Sequence, residues 1–356
     1  MAHSATNSST SMPVWRTESQ IDPSWITQHF PNFQNVSECE VTDISNATRK
    51  GSKVRDGTTL RLTLKWRENG SGKKPIKQTV TLVAKQVPNS RLGLSRKLGL
   101  AREALFYDIL APKIGMSLTK SSNHQSSSCK GEKNDLQIIS IPSIPKKYYS
   151  FGDMTEGSKF VVMEDLSRDF IDSGILFGPG NPNNWRRDLD SMIAHAYPSA
   201  VPSSYEVANQ AFLAIANVHA RFWRDKELLK EDYNWLRGSS WLSGNNEGSW
   251  WGSQRMIQTM WEKYLKDCND CDESIQWDPL VRKMVEKAMK GISWESHLQR
   301  LNANTHFCLV HGDFWPGNIM ISKKEMAPEI DETESGGVGK VRDLRLIDWE
   351  MVGEHL

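Results

Sequence analysis

Residues 309–321 constrain the fold of this chain more strongly than any other stretch of its sequence. An apolar run enters the stretch and a second apolar run leaves it. Between the runs lie His311, Asp313 and Asn318, which are separated by two glycines and a proline. Short apolar runs bounded by glycine and proline are typical of buried strands, and the residues between them are typical of turns. The stretch therefore predicts two short strands that hold a rigid polar loop.

A second polar residue stands at the end of an apolar run, because Asp348 directly follows residues 344–347. Asp313, then Asn318 five residues later, then a distant aspartate after a strand is the spacing used by phosphoryl-transfer kinases. There the first aspartate accepts the proton of the acceptor hydroxyl, and the other two side chains hold magnesium on the ATP phosphates. An Asp-x-x-x-x-Asn pair alone also fits ordinary turn chemistry, so Asp348 and the upstream features are what favour a kinase.

The composition of the chain restricts the class of protein. Its 356 residues suggest two domains or lobes. Lys and Arg number 44 against 43 acidic residues, so the overall charge gives no support to nucleic-acid binding. No window has the apolar length needed to span a bilayer, and the polar N-terminus lacks the apolar core of a signal peptide. We therefore expect a cytosolic protein, and the five scattered cysteines do not form a disulfide scaffold.

The first part of the chain predicts a β-sheet. Residues 1–20 are rich in Ser, Thr and Asn and are expected to form a disordered tail, and Asp22-Pro23 is typical of a helix start. Strand-like runs follow at residues 39–44, 59–66, 78–85, 136–139, 148–151 and 159–166. The loop at residues 48–57 is basic and contains Gly51 and Ser52, whose backbone N–H groups are candidates to cover phosphates. A plain hairpin turn explains this loop equally well.

Two further residues are candidates for nucleotide binding. Lys85 ends a strand-like apolar run, and Glu103 lies in a helix-forming stretch at residues 100–110. In kinases, a strand lysine grips the α- and β-phosphates, and a helix glutamate fixes that lysine. An edge-strand lysine and an exposed helix glutamate are the alternative. Residues 49–97 contain fourteen basic and two acidic residues, which favours either a polyphosphate or a solvated basic strand face.

The run at residues 159–166 is typical of a buried strand and ends in acidic residues. It is suitably placed to link two lobes, where kinases bind adenine through backbone groups, which makes Glu164 and Leu166 candidate contacts. After it the pattern becomes helical, with helices predicted at residues 204–223, 256–268 and 279–301. The first has an inner stripe of apolar residues, predicted to comprise Val207, Ala208, Ala211, Phe212, Ile215, Ala216, His219, Phe222 and Trp223.

Several motifs occur together in the order found in a known group of enzymes. They are Ala84-Lys85, Glu103, Met163-Glu164-Asp165-Leu166, Ile215-Ala216-x-x-His219-Ala220-x-Phe222-Trp223, His311-Gly312-Asp313-Phe314-Trp315-Pro316-Gly317-Asn318 and Ile347-Asp348-Trp349. From about residue 22 to the end, the chain resembles the aminoglycoside phosphotransferase and choline kinase-like superfamily. Within it, the chain is most similar to the ecdysteroid kinase-like, or CHK kinase-like, proteins. Protein kinases differ, since they use His-Arg-Asp and Asp-Phe-Gly.

The resemblance implies an α+β, bilobal protein-kinase-like fold. Its N-terminal nucleotide-binding lobe would be an antiparallel sheet at residues 21–163, and its mainly helical catalytic lobe would cover residues 164–356. It also implies ATP, Mg²⁺ and transfer of the γ-phosphate to a small-molecule hydroxyl acceptor. By position, Asp313 would be the catalytic base, Asn318 and Asp348 the metal ligands, Lys85 the phosphate clamp and Glu103 its partner.

Two departures from the family pattern leave an alternative open. The loop around Gly51 matches poorly, and only eight residues follow Asp348, where the family continues into more helices. We therefore expect a truncated family member. A catalytically impaired pseudokinase that only binds nucleotide is the alternative, although the catalytic set is intact. A P-loop enzyme is excluded, because no Gly-x-x-x-x-Gly-Lys-Ser/Thr occurs. Choline, amino sugars, sterol-like alcohols and sugars all stay open as acceptors.

Overall fold

A computed structural model describes most of the chain, in two compact units. The described residues are 23–30, 33, 36–44, 58–68, 76–114, 144–179, 181, 184–185, 187–270, 278–303, 306–323 and 343–355. The first unit comprises Met1–Ala216 and Gly312–Met351, and the second comprises Asn217–His311 and Val352–Leu356. The predicted lobe boundary after residue 163 stays a prediction. The predicted tail at residues 1–20, the loop at 48–57 with Gly51 and Ser52, and the strand at 136–139 lie outside the described residues.

A five-stranded antiparallel sheet dominates the first unit, in the order β1-β2-β3-β5-β4. Its strands are β1 Val36–Asp43, β2 Thr59–Glu68, β3 Ile76–Gln86, β4 Lys147–Asp153 and β5 Ser158–Glu164. This confirms the predicted antiparallel sheet. The register pairs Lys85 of β3 with Val161 of β5, so Lys85 lies on an inner strand and not at an edge.

Apolar side chains at alternate positions of the strands lie on one face of the sheet and form part of the hydrophobic core. Leu60, Leu62 and Leu64 of β2 are fully buried, and each such side chain contributes about 1.5–3 kcal/mol through burial. Helix α1, Pro23–His29, packs against this face through Ile26. It begins at Pro23, as the Asp22-Pro23 pair predicts, because the first helical position needs no backbone N–H.

The first unit also contains a second sheet and further helices. A second, antiparallel sheet has the order β6-β8-β9. Its strands are β6 Phe170–Asp172, β8 Ile319–Ser322 and β9 Leu344–Leu346. The chain between β6 and β8 includes an 18-residue helix and a 24-residue helix. Besides α1, the helices of the unit are α2 Leu92–Leu98, α3 Arg102–Leu105, α4 Ala111–Ile114, α5 Leu189–Ala196 and α6 Ser204–Arg221. A π-helical turn, Phe106–Leu110, joins α3 to α4. Helix α6 continues into the second unit.

The apolar stripe of α6 is narrower than the sequence predicts. Its buried residues are Val207, Ala211, Ala214, Ile215, Val218 and Phe222. Phe212 and Trp223, which were predicted to be buried, are more than half exposed. The i, i+3, i+4 and i+7 series forms one face of a helix, and residues one position further along are rotated by about 100° from that face.

The second unit is mainly helical. Its elements are β7 Cys308–Val310, β10 Gly353–His355, α7 Ser239–Leu242, α8 Glu247–Asp270, α9 Pro279–Lys290 and α10 Trp294–Ala303. The single helix predicted at residues 279–301 is wrong. Gly291 ends α9, and the Ser293 hydroxyl accepts a hydrogen bond from the Ser296 N–H and caps α10. None of the helices among the described residues is long and apolar enough to cross a membrane.

Candidate functional site

The polar loop at residues 312–318 has the rigid form that its glycines and proline predict. Gly312 has a φ of +80°, and a Cβ atom there would lie 2.0 Å from the Met351 carbonyl oxygen. Only glycine fits this position, because a side chain would be both strained and in collision. Pro316 begins the short helical turn that leads into β8. The predicted strands on either side exist as β7 and β8, although they belong to different sheets.

Asn318 fixes the orientation of Asp313. Its amide nitrogen donates to the backbone oxygen and to Oδ2 of Asp313, both at 2.9 Å. Asn318 is buried and Asp313 is exposed, so a rigid residue positions a carboxylate that solutes can reach. Because the amide nitrogen is used for Asp313, the amide oxygen is the atom of Asn318 that suits a cation.

Asp348 lies two residues after β9 in an unusual backbone conformation. Its φ is +66°, in the left-handed region, which is rare for a residue with a side chain and costs free energy. The next residue, Trp349, is fully buried and stacks on Phe106 with ring centroids 4.0 Å apart. The Ile347 N–H donates to the Asn318 carbonyl oxygen at 3.0 Å, which ties the end of β9 to the polar loop.

Lys85 joins three distant parts of the sequence. Its ammonium group lies 2.8 Å from Glu103 Oε1 and 3.0 Å from Asp348 Oδ1. The predicted Lys85–Glu103 pair is therefore present in the structure, and the alternative of an exposed helix glutamate is wrong, because Glu103 is fully buried. Lys85 holds one carboxylate from α3 and one from the turn after β9.

Sequence analysis missed two charged residues that complete this arrangement. Lys159 of β5 is buried and lies 2.9 Å from Glu103 Oε2, and it also forms an ion pair with Glu350 Oε1. Lys159 directly precedes the apolar run of β5, but this position alone does not indicate a buried ion pair. We use "charge cluster" for the set Lys85, Glu103, Lys159, Asp348 and Glu350.

The charge cluster keeps Glu103 ionised although the residue is buried. Burial alone raises the pKa of a carboxyl group, but Lys159 and Lys85 outweigh it and lower the pKa of Glu103 to about 2. Burial opposes the charge on Lys85 as well, yet Glu103 and Asp348 raise its pKa well above the usual value. The pKa of Glu350 is raised, mainly by burial. Lys85 and Glu103 thus remain charged at neutral pH.

The donor set fits a hard divalent cation. Glu103, Asp348 and Glu350 each offer a carboxylate oxygen, and these oxygens lie within 4.8 Å of one another. Glu103 already accepts hydrogen bonds from two lysines, so Asp348 is the more suitable ligand. Carboxylate and amide oxygens, as in Asp348 and Asn318, are the ligands that Mg²⁺ prefers.

The candidate adenine-binding segment forms hydrogen bonds with a backbone N–H group and with an arginine side chain. Glu164 ends β5, and its Oε1 accepts from the Lys146 N–H at 3.0 Å. Asp165 Oδ2 accepts from Arg61 Nε at 2.7 Å, and Leu166 is buried. The structure therefore does not bring Glu164 and Leu166 into the charge cluster. Glu164 pairs with Leu82 of β3 in the five-stranded sheet.

Comparison with known proteins adds nothing to this geometry. No family model, curated protein or solved structure matches the chain.

Proposed function

We propose that this protein is an ATP-dependent kinase with a bilobal kinase-like fold that phosphorylates a hydroxyl group of a small molecule. The observation that carries the proposal is the contact of Lys85 with both Glu103 and Asp348. These residues are 18 and 263 positions away from Lys85, so their association is a property of the fold. A cytosolic location and the absence of nucleic-acid partners belong to the same proposal.

The charge cluster would bind the phosphates of the nucleotide. The Lys85 ammonium group would contact phosphate oxygens, and Glu103 would hold it in position. Asp348 and the amide oxygen of Asn318 would hold Mg²⁺, which when bound neutralises negative charge on the phosphates. The backbone of Glu164 and Leu166 would contact the adenine ring. Contacts from Gly51 and Ser52 stay a prediction.

Asp313 would act as the general base. The exposed carboxylate would accept the proton of the acceptor hydroxyl while that oxygen forms a bond to the γ-phosphorus. The bond between the γ-phosphorus and the β–γ bridging oxygen would break, and ADP would leave with that oxygen. The hydrogen bond from Asn318 to Oδ2 would hold the carboxylate in one orientation during the transfer.

A transfer assay tests this proposal. The protein would be incubated with Mg²⁺, γ-labelled ATP and panels of choline, amino sugars, sugars and sterol-like alcohols, with Asp313→Ala as the matched control. We expect label on one class of acceptor with the unaltered protein and almost none with the variant. Nucleotide binding without transfer to any hydroxyl compound would favour the pseudokinase. A protein that binds no nucleotide in the presence of Mg²⁺ would contradict both.

A further inference from the structure

Lys159 occupies a position that phosphate binding alone does not explain. It is almost fully buried at the start of β5, and its ammonium group contacts Glu103 Oε2 and Glu350 Oε1. Lys85 takes the other oxygen of Glu103. A buried ammonium group is costly unless it is paired, and here both partners are carboxylates.

The two partners of Lys159 come from elements that must keep a fixed distance. Glu103 lies in α3, and Glu350 lies two residues after Asp348 in the turn Trp349–Met351. The stack of Trp349 on Phe106 joins the same turn to the same helical run. Lys159 is therefore a second, electrostatic connection between helix and turn.

We propose that Lys159 is a positioning residue for the cation ligand Asp348. It holds Glu350, and through it the turn that starts at Asp348, against Glu103. It also engages Glu350, so that this carboxylate does not compete with Asp348 for the cation. The inference rests on the proposed function, because it assigns Asp348 to a bound Mg²⁺.

Charge and backbone strain explain why Asp348 needs this support. The charge cluster contains three carboxylates and two ammonium groups, and removal of Lys159 would leave three carboxylates around Lys85 alone. Like charges would then push the turn away from α3. Asp348 already has a positive φ, and such a conformation persists only where its surroundings enforce it.

The test compares nucleotide affinity with Mg²⁺ and with EDTA, and we call the ratio of the two the magnesium gain. The variant Lys159→Met removes the charge and keeps the length of the side chain. Lys147→Met is the matched control, since Lys147 of β4 pairs with Asp108 at 2.8 Å on the exposed surface of the same sheet. A double variant, Lys159→Met with Glu350→Gln, removes the uncompensated carboxylate as well. The thermal unfolding of every protein is measured in parallel.

We expect Lys159→Met to lower the magnesium gain by about 10- to 100-fold, as loss of a residue that orients a metal ligand does. Lys147→Met should leave the gain unchanged. The double variant should regain thermal stability, because no buried carboxylate is left unpaired. Its magnesium gain should stay low, because the ion pair between Lys159 and Glu350 that holds the turn is still absent. A purely structural lysine would instead make stability and magnesium gain recover together, and that result would overturn the inference.

Other outcomes also decide the inference. A magnesium gain that stays constant in Lys159→Met would overturn it, because Asp348 would then keep its position without Lys159. A gain that rises would also overturn it, because Glu350 would then act as a ligand that Lys159 restrains. If Lys159→Met does not fold, the double variant decides, and a gain equal to that of the unaltered protein would refute the positioning role. Absence of any gain in the unaltered protein would instead refute the proposed function, so the two failures are distinguishable.

Discussion

Two buried glutamates in the two units show how differently the same side chain behaves. Glu103 in the first unit has both carboxylate oxygens paired with lysines, and its pKa falls to about 2. Glu354 in β10 of the second unit is also buried, and neither of its carboxylate oxygens has a hydrogen-bond partner among the described residues. Burial raises the pKa of Glu354 to about 8.

The comparison shows that, at similar burial, the surrounding charges decide the ionisation state. Desolvation acts against the charge of both residues, and among the described residues only Glu103 has cations that offset it. A fixed cluster of charged groups is what phosphate and metal chemistry needs. Burial keeps the Glu354 carboxyl group mainly neutral at pH 7, so it supplies no such fixed charge. The residues to which we assign phosphate, metal and proton-transfer roles all lie in the first unit.

The largest expected difference between the two regions concerns catalysis. Asp313→Ala should lower phosphate transfer by about 10²–10⁴-fold, because a general base is lost. Nucleotide binding should largely survive, since Asp313 does not belong to the charge cluster. Glu354→Gln should retain nearly full transfer. Steady-state kinetics on the two variants measures this, and equal losses in both would remove the functional distinction between the regions.

Removal of Glu103 should destabilise the fold much more than removal of Glu354. Glu103→Gln leaves Lys85 and Lys159 without their shared charged partner, and breaking a buried ion pair in this way costs about 3–5 kcal/mol. Glu354→Gln replaces an unpaired carboxyl group by a neutral one of the same shape. Denaturant unfolding at pH 7 gives both values. If Glu354→Gln proves the more damaging change, the comparison is wrong.

The two glutamates should affect stability in different pH ranges. The pKa of Glu354 in the folded protein lies above its unfolded value of 4.5. Its contribution to the free energy of unfolding is therefore fully present below about pH 4.5 and is lost as pH rises to about 8. The loss is on the order of 1.4 kcal/mol per pH unit in that range. Glu354→Gln should remove this slope in unfolding measurements between pH 5 and 8. A slope that persists in the variant would exclude Glu354 as its source.

Glu103 should contribute on the acid side. Its folded pKa of about 2 lies below the unfolded value of 4.5, so its stabilisation is present above pH 4.5 and is lost as pH falls towards 2. Acid unfolding of the unaltered protein should therefore begin below about pH 4.5. In Glu103→Gln the curve should be flatter over that range. An unchanged acid profile would show that the ion pairs of Glu103 do not contribute.

The smallest effect is expected for an exposed ion pair of the same sheet. Lys147→Met removes the pair with Asp108, which lies at the surface, and should change the free energy of unfolding by less than about 1 kcal/mol. Denaturant unfolding in low and high salt measures it. A loss as large as that for Glu103→Gln would mean that burial does not explain the strength of the charge cluster.

The sequence predicts those parts of the fold that depend on local pattern. Alternation of apolar residues is enough for the five-stranded sheet, and the Asp22-Pro23 pair marks the start of α1. The buried stripe on α6 was predicted too wide, and the break between α9 and α10 at Gly291 was not predicted. The first depends on which elements pack against the helix, and the second on a serine cap that competes with continuing the helix.

The candidate site shows the same division. Asp313, Asn318 and Asp348 are recognisable because their spacing along the chain reflects the loop and strand that carry them. Lys159 and Glu350 were not recognisable from the sequence, because they are 191 positions apart and their pairing has no local signature. A long-range ion pair follows from strand register and the position of a turn, which single-sequence patterns do not specify.

Titration of ATP into the unaltered protein and into Asp348→Ala, with Mg²⁺ and with EDTA, tests the central claim most directly. Lys85 pairs with Asp348 in the structure, and we assign Asp348 to the cation that accompanies the nucleotide. The account predicts that Mg²⁺ strengthens binding to the unaltered protein and has little effect on Asp348→Ala, while Asp313→Ala behaves like the unaltered protein. An equal effect of Mg²⁺ with and without Asp348, or no nucleotide binding at all, would contradict it.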